Sequence, residues 1–578
     1  MLKSFTVAEL KTTAKKQGIS LKSAKKKSLL YILFFIILYI LPFNAHASDA
    51  VTPILKWRII ELEHFDILYP EGAEEHAQRT AATLEKVYNP LQFGDRKLKK
   101  SIIVIEPQGA ISNGWASPIL SQSRLYLQPV PEPFNGFDHT ITWLDTLIVR
   151  EIRHLIQFEN SKYGLNKIPY WFFGDTFIAI SNKFRTPSWY FEGDAVVVET
   201  AYTNSGRGRF PIFDIRFRTL IEERGIPTYD ELLGSSYKYP MPNFYQYGYQ
   251  FISYGREKYG PDIWEKINKN HHQFLWPYSW GYNVKKYTDL NLTSFAEEAL
   301  QIRATQWKEQ KENTTITDTE DILPPPSEGF DLWTYSPQPN ADGSIFAYQS
   351  GKNIPSRIIK KHKSGEVEQI IQTGPRLTNK IHSVGTTIVW DEIREDPLRR
   401  SRSYNVIKIL DKEGKVRTLG KKDRLFSPVL SPDATKIAVV QNTPKNTPAL
   451  VIFDIQSEKE LWRLDFPYTD WLRTPTWTTD GKGLVYLRIT DHDGISLEMT
   501  QITDKQPKVI VEASHIQKSN PMCSSKYIFY STTISGLDAI WAVSFDDGKK
   551  YRVVSRPYGA FDPNPSLDEN SLYFTDYN

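Results

Sequence analysis

A repeat in the C-terminal half constrains the fold of this 578-residue chain more than any other feature. Tyr335-Ser336-Pro337 leads into Asp342-Gly343 and a strand-like run over 344–348. Phe426-Ser427-Pro428 leads into Asp433-Ala434 and 436–440. Thr474-Pro475 leads into Asp480-Gly481 and 483–487, Asn520-Pro521 into 526–530, and Asp562-Pro563 into 568–574. From Pro428 the proline spacings are 47, 46 and 42 residues. The 91 residues from Pro337 to Pro428 leave room for one more unit, whose strand is expected at 386–390. A period in the low-to-mid forties with about four short strands per unit is the pattern of a β-propeller. A β-sandwich with chance turn signals would not keep a fixed period. The openings number about six, and the last unit holds two strands before Asn578. A propeller hides its strand edges by closing on itself. Either a strand near 329–335 completes the sixth blade, or the chain is a truncated or decaying product.

The other end of the chain reads as a targeting segment. Residues 1–27 hold eight lysines and one acid, residues 29–41 are an unbroken apolar run, and Ala45-His46-Ala47 precedes Ser48. A basic stretch, a short apolar core and A-x-A make a secretory leader. The run is shorter than the ~20 apolar residues of a membrane span. Residues 1–47 are therefore expected to be removed, with an uncleaved anchor through 29–43 as the alternative. This leader carries a net +7, and the whole chain carries +4, so residues 48–578 carry −3. The basic balance belongs to the leader, and nothing in the composition argues for nucleic-acid binding. The chain is expected to be exported, and to be periplasmic, cell-surface or membrane-associated in a bacterium. Cys523 is the only cysteine, so no internal disulfide can form, and the fold must rest on its cores.

Residues 48–305 read as an α+β domain, strands first and helices after. Residues 56–70 alternate well enough for one or two strands, 71–88 has helical spacing, and 101–105 is a buried-type strand. A further strand is expected at 124–127, and helices at 143–158, 189–202, 245–259 and 294–311. Residues 306–329 are polar and contain Pro324-Pro325-Pro326, a connector composition. The propeller then occupies 330–578.

The chemistry-bearing stretch lies on the helix at 143–158. Arg150-Glu151-Ile152-Arg153-His154 has the spacing of H-E-x-x-H, in which two histidines four apart share a helix face and bind zinc while the glutamate acts as general base. Here the first position is Arg150, whose guanidinium holds its proton and has no lone pair for a metal. Alone, this match is weak, because an amphipathic helix with a surface ion pair reads the same. Trp189-Tyr190-Phe191-Glu192-Gly193 follows on the next expected helix, with Glu192 38 residues after His154.

Taken in order, His64-Phe65-Asp66-Ile67-Leu68-Tyr69-Pro70, Asn113-Gly114-Trp115-Ala116, residues 151–157, 187–199, Gly206-Arg207-Gly208 and 245–260 resemble the bacterial peptidase-MA-like domain. That is a gluzincin-type zinc metallopeptidase domain, here followed by a TolB-like, WD-repeat-like propeller. The resemblance implies that His154 and Glu192 are metal ligands and Glu151 the general base, with Glu199 behind them. Tyr245 would donate to the oxyanion, although an aromatic on a helix is more often core. It also implies zinc as cofactor, weakened or lost here because Arg150 occupies the first-ligand position. A guanidinium at that place could bridge Glu151 and Glu192.

Two functions follow as expectations. In the first, the chain is a pseudoenzyme that binds a protein, a peptide or an envelope component through its propeller without cleaving it. In the second, it is an active zinc endopeptidase with an altered ligand set, recruiting His64, His271 or His272.

Overall fold

The computed structural model describes residues 55–133, 138–236, 239–323 and 332–577. The leader expected over 1–47 and the three consecutive prolines lie outside them. Residues 53–578 form one compact unit. Among the described residues, no helix is long and apolar enough to cross a membrane.

The unit opens with a five-stranded mixed sheet. Its strands are β1 (Trp57–Glu61), β2 (Phe65–Pro70), β3 (Ser101–Glu106), β4 (Gly114–Ser117) and β5 (Gln122–Tyr126), in the order β1-β2-β3-β5-β4. β2, β3 and β5 run parallel, and the two edge strands are antiparallel to their neighbours. Helix α1 (Glu74–Leu91) covers one face. Then come α2 (Trp143–Asn160), α3 (Lys167–Arg185), α4 (Ser188–Tyr202), α5 (Pro211–Arg224), α6 (Tyr229–Gly234), α7 (Phe244–Tyr259), α8 (Ile263–Gln273), α9 (Ser279–Thr288) and α10 (Leu292–Glu312). The expected helices at 143–158, 189–202, 245–259 and 294–311 are α2, α4, α7 and α10. The helical spacing over 71–88 is α1; α3, α5, α6, α8 and α9 were not expected.

Two cores organise this region. One lies between the sheet, α1 and α2, and is built from Phe65, Ile67, Leu84, Ile103, Ile148 and Ile152. The other is aromatic, with Trp189, Phe251, Trp264, Trp280 and Phe295 in edge-on and stacked contact. α4 and α7 cross almost backbone to backbone. A Cβ at Gly193 would sit 2.3 Å from the Gly248 carbonyl carbon, so neither position tolerates a side chain. This crossing brings Glu192, beside Gly193, towards Tyr245 at the start of α7. The α7 N-terminus is fixed by Asn243 and Gln246 in a reciprocal cap.

The C-terminal half is a β-propeller. Five four-stranded sheets follow one another, with inner strands Leu332–Pro339, His382–Val384, Leu425–Leu430, Trp471–Trp477 and Lys518–Cys523. A two-stranded sheet, Ala560–Pro565 with Leu572–Asp576, stands where a sixth blade was expected. The expectation that a strand near 329–335 completes this last sheet is corrected. Leu332–Pro339 pairs with Ile345–Gly351 and opens the first blade. The strand expected at 386–390 is present as Thr387–Asp396, the second strand of its blade.

The proline-led openings have one backbone form. Ser336, Ser427, Thr474, Asn520 and Asp562 precede the five prolines and have φ of 55°, 50°, 42°, 49° and 50°. The ladder slips register at each. Proline supplies no N–H, so the ladder loses a bond there, and the residue before it takes up a bulge that costs about 1 kcal/mol or more in the left-handed region. Polar side chains at these bulges tie blades together. Asp562 accepts from the Asn520 amide of the fifth blade, from the Ser336 backbone N–H of the first (3.2 Å) and from Thr575 of its own sheet (3.0 Å). One carboxylate thus spans the closure of the ring.

The helical region grips the propeller through buried bonds. Arg473 is fully buried and donates to Asp138 (2.5 Å) and to the Val130 carbonyl (3.1 Å), with its Nη2 2.8 Å from His139 Nδ1. Ser427 donates to Glu132 (2.9 Å), Asn442 to Gln128 (2.7 Å) and Arg424 to the Pro107 carbonyl (2.9 Å). Of the residues expected as a connector, those through Glu312 continue α10. Thr317 pairs with Ser555 at the end of the fifth blade (3.0 Å).

Candidate functional site

α2 is buried on nearly every side: fifteen of its eighteen residues are inaccessible. Its polar residues therefore need partners inside the protein, since an unpaired buried charge costs several kcal/mol. Arg153 forms a two-bond pair with Asp194 on α4 (2.7 and 3.1 Å), and Arg256 on α7 shares that carboxylate (2.6 Å). Gln157 donates to Asp194 (2.8 Å) and faces His154 Nδ1 with its carbonyl oxygen (2.9 Å). Asp194 thereby sets the Gln157 amide, and Gln157 sets the orientation of the His154 ring.

The four residues singled out from the sequence meet at one point. Arg150 Nη2 donates to Glu192 Oε2 at 3.1 Å, and His154 Nε2 lies 3.3 Å from the same oxygen. Arg150 Nη1 lies 3.2 Å from Glu151 Oε1, close enough for an ion pair but not aligned as a hydrogen bond. Arg150 also donates to the Tyr245 hydroxyl at 3.3 Å and lies over its ring, 5.4 Å from the centroid. Glu199 does not enter this cluster directly. It forms a two-bond pair with Arg207 (2.7 and 3.1 Å), whose guanidinium also lies over the Tyr245 ring, 4.9 Å from its centroid.

The electrostatics follow from these contacts. Burial works against a charge on Glu192, but His154 and Arg150 outweigh it and hold the carboxylate well below its ordinary range. Burial also opposes protonation of His154, and Glu192 and Glu151 overcome it, so the imidazole is raised. For Glu151 burial wins over Arg150 and His154, and its carboxyl is raised. The result is an internally balanced set of two carboxylates, one imidazole and one guanidinium.

The histidines considered as substitute ligands are engaged elsewhere. His64 stacks on Tyr88, His271 faces Ser279 at 2.6 Å, and His272 faces Asn166 at 2.8 Å. Among the described residues, no group of three or more His, Cys, Asp or Glu is placed to hold a metal ion.

A second concave region was not foreseen. A cavity of about 970 Å³ lies between the helical region and the propeller. Its described lining holds seven carboxylates against two cations, Arg216 and Lys380, with Trp333 and Tyr573 among its aromatic residues. Lys380 Nζ and Asp538 Oδ2 are buried there without a hydrogen-bond partner among the described residues. Burial and the neighbouring Asp138 push Asp538 up to about 7. Burial does the same to Glu132, also to about 7, against the pull of Lys380, and burial lowers Lys380.

No family model and no curated protein matches this chain. Solved structures do. TolB from Acinetobacter baumannii is 15% identical over 42% of this chain and 62% of its own, with a TM-score of 0.28. The β-propeller domain of the trilobed protease from Pyrococcus furiosus is 13% identical over 43% and 78%, with a TM-score of 0.30. A nidogen/laminin complex is 14% identical over 42% and 82%, with a TM-score of 0.30.

Proposed function

We propose that this chain is an exported, non-catalytic binding protein whose helical region has kept a peptidase-like pocket and replaced its metal with an internal cation. The observation that carries this reading is the Arg150 guanidinium. It bonds the oxygen of Glu192 that also faces His154, and it lies against Glu151. A catalytic zinc takes three protein ligands and keeps one position for water. Here only His154 and Glu192 remain as donors, and a divalent ion between them would meet a fixed positive charge. The donor set does not fit zinc, and no reaction step is assigned to it. Arg150 instead neutralises the two carboxylates that a metal would otherwise compensate.

Binding is then assigned to the cavity between the helical region and the propeller. Its excess of carboxylates, with Asp538 Oδ2 lacking a hydrogen-bond partner among the described residues and aromatic rings nearby, suits a basic, apolar-bodied segment of a protein or peptide partner, or a cationic envelope component. Export rests on the leader-like residues 1–47.

The deciding measurement is zinc stoichiometry after purification in excess zinc, with a peptidase assay on the same sample. The expected result is no stoichiometric metal and no cleavage. One tightly held zinc per chain, lost in His154→Ala, would establish the active-peptidase reading instead.

A further inference from the structure

α3 is an apolar helix without an apolar place to go. Its sequence, KIPYWFFGDTFIAISNKFR, buries only Ile178, Ser181 and Asn182. Trp171 is 81% exposed and Phe184 79%, and Phe172 and Phe173 are exposed beside them. At Gly174 the backbone turns to φ 59° and ψ −150°, a conformation that suits glycine, and presents Trp171, Phe172 and Phe173 on an arm of their own.

A neighbouring loop carries the same character. Phe274, Leu275, Trp276 and Tyr278 are all exposed, Tyr278 by 73%. Arg185, the last residue of α3, fixes this loop to the helix. It donates to the Phe274 carbonyl, to the His271 carbonyl (3.3 Å) and to Asn166 (2.7 Å). The short turn Ile119–Ser121, with Leu120 exposed, also packs against α3. These residues do not line the cavity between the helical region and the propeller. They lie exposed at the surface.

The charge along these two segments is mostly positive. Between 160 and 188 the only acid is Asp175, which is tied to Lys162 at 3.0 Å, and between 271 and 288 there is none. Lys167, Lys183, Lys285 and Lys286 are exposed around the aromatic residues. Monomeric proteins seldom leave such a patch uncovered. Tryptophan, tyrosine and lysine around exposed phenylalanines match the layering of a bilayer surface, where rings sit at headgroup depth and cations meet phosphates.

We propose that this face docks on a bilayer containing anionic lipid, with Trp171, Phe172, Phe184 and Trp276 in the interfacial layer and the four lysines at the headgroup phosphates. The contact is peripheral. It does not depend on the reading of the Arg150 site.

The test uses protein beginning at Ser48. This keeps the whole compact unit of 53–578 and removes the apolar run at 29–41, which would bind lipid by itself. The protein is expected to co-sediment with vesicles of phosphatidylglycerol and phosphatidylethanolamine, and much less with phosphatidylcholine alone. The variant Trp171→Ser/Phe172→Ser/Phe184→Ser/Trp276→Ser should lose about tenfold or more in partitioning. Its circular dichroism should not change, since these side chains are exposed. Lys167→Glu/Lys183→Glu should weaken binding to the anionic vesicles and remove its advantage over phosphatidylcholine. Wild-type protein left in the supernatant overturns the proposal, as does equal binding by the aromatic variant. Concentration-dependent dimers in sedimentation velocity, abolished by the aromatic variant and without vesicle binding, would assign the face to a second copy of the chain.

Discussion

Arg150 reaches from α2 to the Glu192 carboxylate on α4, 3.1 Å away, and Glu192 presents the same oxygen to His154 at 3.3 Å. The first prediction follows from this sharing. Arg150→Met removes the cation nearest to buried Glu151 and a bond to Glu192, leaving His154 as the cation they share, and should cost about 3–5 kcal/mol. Arg150→His does something different. It removes the guanidinium and places a second imidazole one helical turn from His154 on the same face. That variant is expected to bind zinc and to melt higher when zinc is added, by roughly 2.7 kcal/mol at a hundredfold excess over Kd. The wild type should show no such shift. Thermal unfolding with and without zinc checks both, and a zinc-dependent rise in the wild type would sink the argument.

Much of this site could be read from the chain, because its residues come in short local patterns. Arg150, Glu151 and His154 sit within one helical turn, and Glu192 lies in an aromatic stretch that forms the next expected helix. The propeller was legible for a related reason. Each X-Pro opening marks a bulge whose backbone form repeats, so the signal returns at a fixed spacing. What stayed hidden depends on distant pairs. Arg473 and Asp138 are 335 positions apart, and neither residue type announces the other. α3 was missed because Pro169 and Gly174 interrupt a run that is apolar on all sides, so it shows no helical period and reads as a buried strand or a loop. The second blade hid its opening because it lacks the proline, and its inner strand is only His382–Val384.

The second prediction concerns closure of the ring. Asp562 joins the last sheet to the fifth blade through Asn520 and to the first through the Ser336 N–H. Asp562→Ala leaves that N–H and the Asn520 amide without their acceptor, at about 1–3 kcal/mol for each buried group. Urea denaturation should show a loss of about 2–4 kcal/mol, and hydrogen exchange should rise first across 560–576. Asp562→Asn keeps an acceptor oxygen and should recover part of the loss. Exchange that rises evenly over all blades would mean that the closure is held elsewhere.

The third prediction is a pH dependence. Glu132 and Asp538 are fully buried and titrate near 7, above the ordinary carboxylate range. The folded protein therefore binds protons there that the unfolded chain has released. Such a group stabilises fully below its unfolded pKa, and its contribution is lost as pH rises through the folded value. Stability should fall between about pH 4 and pH 7.5, by roughly 3 kcal/mol for Glu132 and roughly 4 kcal/mol for Asp538, each taken alone. Buried neutral histidines act oppositely in the same window. His76 is lowered to about 4 by burial and Arg79, and His382 to about 3 by burial and Lys380. The wild-type profile sums both, so the variants isolate the carboxylates. Glu132→Gln and Asp538→Asn should each gain stability relative to the wild type at pH 8 and little at pH 5. A gain that is the same at both values would show that neither carboxyl titrates as described.

The fourth prediction asks how the helical region and the propeller behave once the connector is cut. The sequence marks 306–329 as a cleavable connector, and limited proteolysis is expected to nick it beyond Thr317, which is paired with Ser555. Cutting removes no buried contact. Arg473 still donates to Asp138 and Val130, and Arg424 to the Pro107 carbonyl. Arg79 still pairs with Asp491 and with Asp145. The two fragments should therefore co-elute after nicking and unfold in one transition. Arg473→Met tests the central contact, because it leaves Asp138 buried and unpaired at the interface, at about 3–5 kcal/mol. Much of that cost disappears if the fragments separate and Asp138 reaches water. The nicked variant is expected to separate on size exclusion, where the nicked wild type does not. If both forms co-elute and melt alike, Arg473 is not what joins them. If the nicked wild type separates at once, the buried bonds are too weak to hold the regions without the connector.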